Sequence, residues 1–531
     1  MAEDRFIREW KKTNSVIAGI FTVAIIAGLP VIFRDYYFDI LNVKYYFYCG
    51  CVIGMTVFIL LAAIVYAVKD WKRNQFSHVK ELARALHLRS LRAPDWAMLA
   101  FLAAALISTF QSEYFYESFW GNEGRYMGMF LLLLYGASYF IISRCLKFRR
   151  WYLDVFLAAG LVVCGIGILH FFQIDPIGFK EGLTERDYKM FTSTIGNINT
   201  YTSYVALIPG MSVVLFVSAE NGKRKIWYGI NVVVSLFALI TGISDNAYLA
   251  LMALFGLLPL YLFNSLAGVK KYVLMVAVLF TEFQFIDGII QAYPAGVMEI
   301  SGLFEVIVGY DKLGLVVAAL WALTVILYVA DAKLPQTSFA KKESNTGRWI
   351  WLGVIILVIL GVGYAIYDAN INGNAERYGA LQGYLVINDD WGTHRWYIWR
   401  IGMESYGKFP LIHKIFGYGP DTFGIITVTN YYEEMVQRYG EKFDSAHNEY
   451  LQYLITIGIA GLAAYLSLLV TSIAAMIRKA KKVPFLMGIP FALICYGVQA
   501  AVNISVPIVA PVMMTLLMVG VASVNGAGDT A

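Results

Sequence analysis

Residues 45–68, YYFYCGCVIGMTVFILLAAIVYAV, contain no charged side chain and are followed directly by Lys69 and Asp70. A helix of about 20 apolar residues is long enough to cross the hydrocarbon core of a bilayer, which is about 30 Å thick. Similar runs recur along the whole chain and predict about fourteen helices. They are expected at about 15–33, 45–68, 96–111, 126–143, 151–173, 200–219, 226–243, 246–264, 272–290, 313–331, 349–367, 447–477, 485–503 and 507–524.

The composition agrees with a membrane protein, because 59% of the residues are hydrophobic, 15% are charged and the mean hydropathy is +0.61. A soluble chain would carry about 25% charged residues. The sequence predicts an all-α fold, a polytopic transmembrane bundle of about 12–14 helices with one large, partly helical extracytoplasmic loop. We divide the chain into the N-terminal part of the bundle (1–367), the large loop (368–445) and the C-terminal transmembrane helices (446–531).

The basic residues indicate how the chain is oriented. Cytoplasmic loops of membrane proteins carry an excess of Lys and Arg. If the N-terminus is cytoplasmic, most of the 42 Lys and Arg residues fall in inner segments, including 69–93, and the short outer loops are poor in them. We therefore expect a multi-pass membrane protein with the lipid bilayer as a partner, its N-terminus in the cytoplasm and the loop 368–445 outside it.

Several functional classes lack support in the sequence. It contains no P-loop, no GxGxxG after a strand and no HExxH. No segment resembles a nucleic-acid-binding module, so no nucleic acid is expected as a partner. The five cysteines show no metal-binding spacing. We predict no metal and no cofactor, although Asp389, Asp390 and His394 are close enough that a metal site there stays open as an alternative to a solvated turn.

The large loop holds the residues that could carry chemistry. In THRWYIWRIGMESYGKF (393–409), Arg395, Trp399 and Met403 share one helix face. The Gly/Pro cluster IFGYGPDTFG (415–424) predicts a tight turn. In DSAHNEYLQYL, from residue 444, the first residues are suitable helix N-caps, and His447 would lie in the first turn of the next helix. That helix is expected to break at Gly458 or Gly461.

These segments together resemble the O-antigen ligase/polymerase family of bacterial membrane glycosyltransferases. The family has an "R…W" helix, a "GxGxxxF" turn, an "AHNxxLxxxxxxGxxG" segment and an upstream "GNxN" segment. The resemblance implies a GT-C-like fold, with 376–503 approximating the ligase-related region. The matching residues are Arg395 and Trp399; Gly417, Gly419 and Phe423; Ala446, His447, Asn448, Leu451, Gly458 and Gly461; and Gly196, Asn197 and Asn199.

One segment departs from the family pattern. Many relatives carry "SRGxxL" on an outer helix end, with an Arg thought to bind the donor pyrophosphate. The corresponding stretch here is Ser244 to Leu249, SDNAYL, which has no Arg. Either another cation replaces it, with Arg125 as first choice and Arg186 as second, or the donor is handled differently.

The resemblance implies extracytoplasmic glycosyl transfer, inverting and metal-independent, in surface polysaccharide assembly. The donor would be a polyprenyl-pyrophosphate-linked saccharide and the acceptor a saccharide or a lipid. Arg395, with Arg125 or Arg186, would bind the pyrophosphate, and His447 would be the general base. Asn448, Asn197 and Asn199 would order the loop or hold sugar hydroxyls, and Trp399, Gly417 and Gly419 would complete the substrate site.

Two alternatives stay open from the sequence. A polymerase would lengthen lipid-linked chains, whereas a ligase would move a finished chain onto a terminal acceptor, and the motifs are shared by both. A transporter or flippase for a lipid-linked sugar or small solute is the competing class, since intramembrane charges such as Asp154, Glu282 and Asp287 could mark a pathway.

Overall fold

The structure is a computed structural model that describes residues 5–80, 90–335 and 343–526. Helices make up 77% of it, so the predicted all-α fold is confirmed. Among the described residues, the sheet is limited to Phe191–Thr192 paired antiparallel with Gly196–Asn197. The main helices are Arg5–Val23, Ile40–Asn74, Ala93–Phe110, Met129–Cys145, Trp151–Phe171, Ile198–Ser218, Gly222–Ile240, Asn246–Leu262, Leu266–Ala292, Leu313–Lys333, Thr346–Asn370, Glu449–Ala480, Gly488–Gln499 and Ala510–Asn525.

Each of the predicted apolar runs coincides with a helix. Within the described ranges, ten helices are long and apolar enough to cross a membrane, and three more apolar helices are shorter. The remaining predicted span, Gly222–Ile240, begins with three consecutive basic residues, 223–225, which raise its charge count. The expected bundle of about 12–14 helices therefore agrees with the structure.

The bundle has a buried centre and a lipid-like periphery. Ile198–Ser218 is buried along nearly its whole length and packs against Gly222–Ile240, Asn246–Leu262 and Gly488–Gln499. In contrast, no residue is buried in the most apolar part of Thr346–Asn370. An apolar surface of this length is stable only against lipid or another apolar surface. The chain is thus a multi-pass membrane protein.

The two ends of the bundle differ. We call "loop end" the end where Ala93–Phe110 and Thr346–Asn370 finish and where Glu449–Ala480 begins, because the large loop packs there. We call "opposite end" the end where Ala93–Phe110 begins and Glu449–Ala480 finishes. The segment between Asn370 and Glu449 is partly helical, as predicted, with helices Gln382–Leu385, Trp391–Lys408, Leu411–Phe416 and Phe423–Tyr439 and a 3₁₀ segment Ala375–Leu381.

The helix Glu449–Ala480 breaks at Gly458, where φ is +70° and ψ is −179°. A break removes the N–H groups that would pair with the carbonyls one turn earlier. Here the freed carbonyls are used by the loop, since Tyr418 N donates to Ile455 O (3.3 Å) and Gly419 N donates to Thr456 O (2.8 Å). The residues 417–421, which lie within the predicted turn 415–424 and which we call the glycine turn, are therefore bound by backbone hydrogen bonds to the broken helix.

The close approach of the two backbones leaves no space for a side chain at Gly417. Its φ is +71°, and a Cβ there would lie 2.2 Å from the backbone C and O of Thr456. The glycine at this position is thus required twice, by the backbone conformation and by the contact.

We expect Gly417→Ala to destabilise the protein by about 3 kcal/mol or more, through strain at positive φ and overpacking against Thr456. The matched control is Gly440→Ala, because Gly440 has φ +70° but open space around it. That variant should cost only about 1–2 kcal/mol. Thermal unfolding of the purified proteins in detergent compares them, and equal shifts would contradict the docking of the glycine turn.

Candidate functional site

The glycine turn positions a second outer segment. The carboxylate of Asp421, whose φ is +63°, accepts hydrogen bonds from Asn122 N (2.7 Å) and Met127 N (3.2 Å). The side-chain amide of Asn122 donates back to the carbonyl of Asp421. Burial raises the pKa of Asp421 to about 7, and the two N–H donors and Arg125 oppose this rise. The turn thereby fixes the segment 122–127, which carries Arg125.

The side chain of Arg125 is partly exposed and forms an ion pair with Asp444. Its Nη2 is 2.6 Å from Asp444 Oδ1, and its Nε is buried with no hydrogen-bond partner among the described residues. Arg125, Asp444, Asn448 and Glu449 line one cavity. A buried N–H group without a partner is costly, so Arg125 has unused capacity to bind an anion.

Arg395 is held at the start of Trp391–Lys408, where Gly392, Thr393 and His394 have positive φ. Its Nη1 donates to Gly392 O (2.6 Å), and its Nε donates to Val502 O (3.0 Å) near the C-terminal helices. The guanidinium group thus joins the loop to the bundle.

The segment from Ser244 to Leu249, which lacks the Arg of the family pattern and which we call the missing-Arg segment, lies beside Arg395. Burial lowers the pKa of Arg395. The side chains of Tyr248 and Asp245 oppose this shift, because their negative forms favour the charged guanidinium group. Asp245 also accepts a hydrogen bond from Tyr384 OH (3.3 Å). Asp245 stands at the position where the family pattern predicts an Arg, and its negative charge acts on Arg395.

His447 lies directly before Glu449–Ala480, with φ +46° and a partly buried side chain. Its backbone N–H donates to Ser445 Oγ (3.4 Å), while no hydrogen bond from the described residues reaches its ring. Burial, together with the charges of Arg395 and Arg125, lowers the pKa of His447 to about 4, and Asp444 opposes this effect. The low pKa disfavours the protonated ring, so His447 is neutral near pH 7 and a weak base in the free protein.

The cap of this helix differs from the sequence prediction. Asn448, not Asp444 or Ser445, is the N-cap, and its side-chain oxygen accepts hydrogen bonds from Tyr450 N and Leu451 N, both at 3.0 Å. His447 consequently precedes the first turn instead of lying in it. The physical reason is that Asp444 pairs with Arg125 and that the positive φ of His447 is incompatible with helical continuation.

Trp399 connects the loop helix to this cap. Its Nε1 donates to Ala446 O (3.0 Å), one residue before His447. Trp399 and Ala446 are 47 residues apart in sequence, so the two motifs are brought into direct contact by the fold.

The upstream asparagines tie backbone segments together. Asn197 is the N-cap of Ile198–Ser218 and accepts a hydrogen bond from Asn199 N (2.9 Å). Asn199 Oδ1 accepts from Ser244 Oγ (2.7 Å) and Asn246 Nδ2 (3.1 Å). These contacts place the missing-Arg segment next to the "GNxN" motif.

Arg186 and Asp389, also named from the sequence, form other ion pairs. Arg186 is 76% exposed and faces Glu441 at 3.9 Å. Asp389 pairs with Arg400 and Arg438, which lower its pKa. Among the described residues, no group of three or more His, Cys, Asp or Glu side chains could hold a metal ion.

Sequence reasoning missed Glu449. Its carboxylate is 2% exposed and accepts hydrogen bonds from Tyr465 OH (2.5 Å) and Tyr496 OH (2.8 Å). A charged residue at the start of an apolar span is itself a signal of an important polar site, which could have identified it.

Asn448 allows the capping and sugar-binding roles to be separated. We expect Asn448→Asp to keep the thermal stability, because Asp is an equally good N-cap, and Asn448→Ala to cost about 1 kcal/mol. If the role of Asn448 is capping alone, Asn448→Asp also keeps the activity. A loss of activity in Asn448→Asp at unchanged stability would instead assign substrate contact to the amide.

One comparison with known proteins finds a matching family. Residues 300–466 match the family model described as O-antigen ligase. The match includes the large loop and the start of Glu449–Ala480, and hence Arg395, the glycine turn and His447. No curated protein matches the chain. Residues 300–466 of this multi-pass membrane protein are therefore similar to the O-antigen ligase family, which confirms the resemblance to the O-antigen ligase/polymerase family and supports a role in surface polysaccharide assembly.

Proposed function

We propose that the protein catalyses extracytoplasmic glycosyl transfer from a polyprenyl-pyrophosphate-linked saccharide to a saccharide or lipid acceptor, as a polymerase or a ligase. The observation that carries the proposal is the placement of His447. Its segment contacts the helix of Arg395, through Trp399 Nε1 and Ala446 O (3.0 Å), and the segment of Arg125, through Asp444 (2.6 Å). No hydrogen bond among the described residues reaches the His447 ring. The three residues come from separate segments and meet at the loop end. A lipid-linked donor in the bilayer would reach such a site laterally.

The orientation in the proposal places the loop end outside the cytoplasm of a bacterial inner membrane. Basic residues at the opposite end support it, including Arg144 at the end of Met129–Cys145 and Arg478 and Lys479 in the last turn of Glu449–Ala480. The N-terminus is then cytoplasmic. No nucleotide sugar is supplied outside the cytoplasm, so the donor must arrive already activated.

In the proposed reaction, the two arginines stabilise the leaving group. The acceptor hydroxyl oxygen attacks the anomeric carbon as the bond between that carbon and the pyrophosphate oxygen breaks. The electron pair stays on the pyrophosphate, whose added charge Arg125 and Arg395 would stabilise by charge-assisted hydrogen bonds. Asp444, 2.6 Å from Arg125, occupies the position of an anion and would give way to phosphate.

His447 takes the proton of the attacking hydroxyl. Attack and departure occur on opposite faces of the sugar in this single displacement, so the anomeric configuration inverts. In the free protein, the two guanidinium groups disfavour the imidazolium form. A bound pyrophosphate would neutralise their charges, so the proton affinity of His447 rises once the donor is in place. Donor binding thus activates the base, and no metal is needed for these steps.

The test uses the full-length protein in liposomes with a polyprenyl-pyrophosphate-linked oligosaccharide and neither metal nor nucleotide. Wild type should release polyprenyl pyrophosphate, and His447→Ala and His447→Gln should lower turnover by about 10²–10⁴-fold with donor affinity and thermal stability retained. Longer lipid-linked chains identify a polymerase, and release that requires an added acceptor identifies a ligase. Full turnover in both variants would refute the role of His447, and transbilayer movement of the donor without transfer would indicate a transporter.

Arginine variants discriminate between the candidate cations. Arg125→Lys and Arg395→Lys should each lower kcat/KM by about 10²–10³-fold, because Lys keeps the charge but loses the planar set of donors. Arg186→Lys is the matched control and should leave kcat/KM nearly unchanged, since Arg186 is exposed and its contact with Glu441 is long. A larger loss for Arg186→Lys than for Arg125→Lys would reverse this assignment.

The pH dependence follows from the environment of His447. A base must be deprotonated, so activity falls as the pH falls through its pKa. In kcat/KM, which reports the free protein, the loss due to His447 should occur only near pH 4. In kcat, which reports the donor complex, it should occur at a higher pH than in kcat/KM, because the bound pyrophosphate offsets the charges of the two arginines while the burial of the ring remains. Rates measured from acid to neutral pH check this, and acid limbs at the same pH would contradict donor-dependent activation.

A further inference from the structure

A second cavity lies at the opposite end of the bundle. It has a volume of about 430 Å³ and is formed where Ala93–Phe110 begins and where Glu449–Ala480 and Ala510–Asn525 end. Its polar lining comprises Arg92, Asp95, Arg478, Lys479, Lys482 and Asn525. Its apolar lining comprises Ala93, Pro94, Ala475, Val521 and Val524.

The cavity is strongly positive. Its one carboxylate, Asp95, is 1% exposed and is already bound by Arg144 and by Tyr139 OH (2.9 Å). No ion pair among the described residues involves Arg92, Arg478, Lys479 or Lys482. Four cationic side chains therefore border one cavity without a described counter-charge.

The Arg92 guanidinium is fixed in place at the cavity. Its Nη1 donates to Val524 O (3.1 Å) near the end of Ala510–Asn525, and its backbone N–H donates to Asp95 Oδ2 (2.8 Å). Lys479 is half-buried on the facing helix. The cations thus come from segments far apart in sequence and converge on the same space.

The depth of the cavity indicates the kind of ligand. Ala93–Phe110 has 18 residues and is about 27 Å long, close to the thickness of a hydrocarbon core. Its other end contacts the glycine turn, where Gln111 Nε2 donates to Gly417 O (2.9 Å). The cavity therefore lies at the other membrane surface from the candidate active site, at headgroup level, with apolar walls beside its cations.

We propose that this cavity binds the phosphate of an anionic phospholipid headgroup from the leaflet at the opposite end. Basic residues scattered over an inner surface follow from membrane topology alone. Here they surround a cavity between helix ends, the arrangement that holds anionic headgroups between transmembrane helices. The bound phosphate would link the N-terminal half of the bundle to its C-terminal helices.

The experiment compares three forms of the full-length protein in uncharged detergent micelles: wild type, Arg478→Gln/Lys479→Gln/Lys482→Gln, and the matched control Lys223→Gln/Arg224→Gln/Lys225→Gln. The control removes three exposed basic residues at the start of Gly222–Ile240, outside the cavity. Thermal unfolding is followed during titration with cardiolipin, with phosphatidylcholine and, separately, with inorganic phosphate. Changes seen without lipid, such as lost helix-dipole interactions, are subtracted.

Cardiolipin should raise the unfolding midpoint of wild type and of the control by a few degrees, and phosphatidylcholine should not. In the cavity variant, the apparent affinity for cardiolipin should fall roughly 100-fold. A response to inorganic phosphate as strong as that to cardiolipin would assign the cavity to a soluble phosphate and overturn the lipid proposal. Equal loss in the cavity variant and the control, or no response in wild type, would also overturn it.

Discussion

The break of Glu449–Ala480 at Gly458 is the constraint on which the loop end depends. It frees two carbonyls inside a packed bundle, and such groups must be paired. The backbone N–H groups of Tyr418 and Gly419 pair with them, which docks the glycine turn. Asp421 in that turn holds the segment of Arg125, and the same broken helix presents His447 at its start. One backbone irregularity thus organises both a cation and the proposed base.

The positive charges of Arg125 and Arg395 make the site suitable for binding an anion. Arg125 has a buried Nε without a described partner and an aspartate on its Nη2, and Arg395 lies beside Asp245. A bound pyrophosphate would compensate the positive charges of the two arginines more strongly than the carboxylates of Asp444 and Asp245 do. Burial is the main cause of the low pKa of His447, and the same cations add to it because they disfavour its protonated form. In the proposed mechanism, the same two arginines therefore bind the leaving group and control the proton affinity of the base.

Much of the fold could be predicted from the sequence because the bilayer fixes the length of each apolar span. The break at Gly458 is one of the two predicted positions, and the Trp399 helix contacts the segment of His447 through a hydrogen bond that the sequence alone does not show. The cap was predicted wrongly, because Asp444 and Asn448 are both good caps and only the tertiary contact with Arg125 distinguishes them. Local patterns do not contain such long-range contacts.

The same limit applies to the cations. The choice between Arg125 and Arg186 depends on Asp421, which lies almost 300 residues beyond the segment it holds. The sequence did not indicate Glu449 because its tyrosine partners are Tyr465, beyond the helix break, and Tyr496 in a later helix.

The most direct test of the central claim is a cryo-electron microscopy structure of the full-length protein with a polyprenyl-pyrophosphate-linked saccharide. The account predicts pyrophosphate oxygens within hydrogen-bond distance of Arg125 and Arg395, with Asp444 displaced. Pyrophosphate bound elsewhere, with the Arg125–Asp444 pair intact, would contradict it.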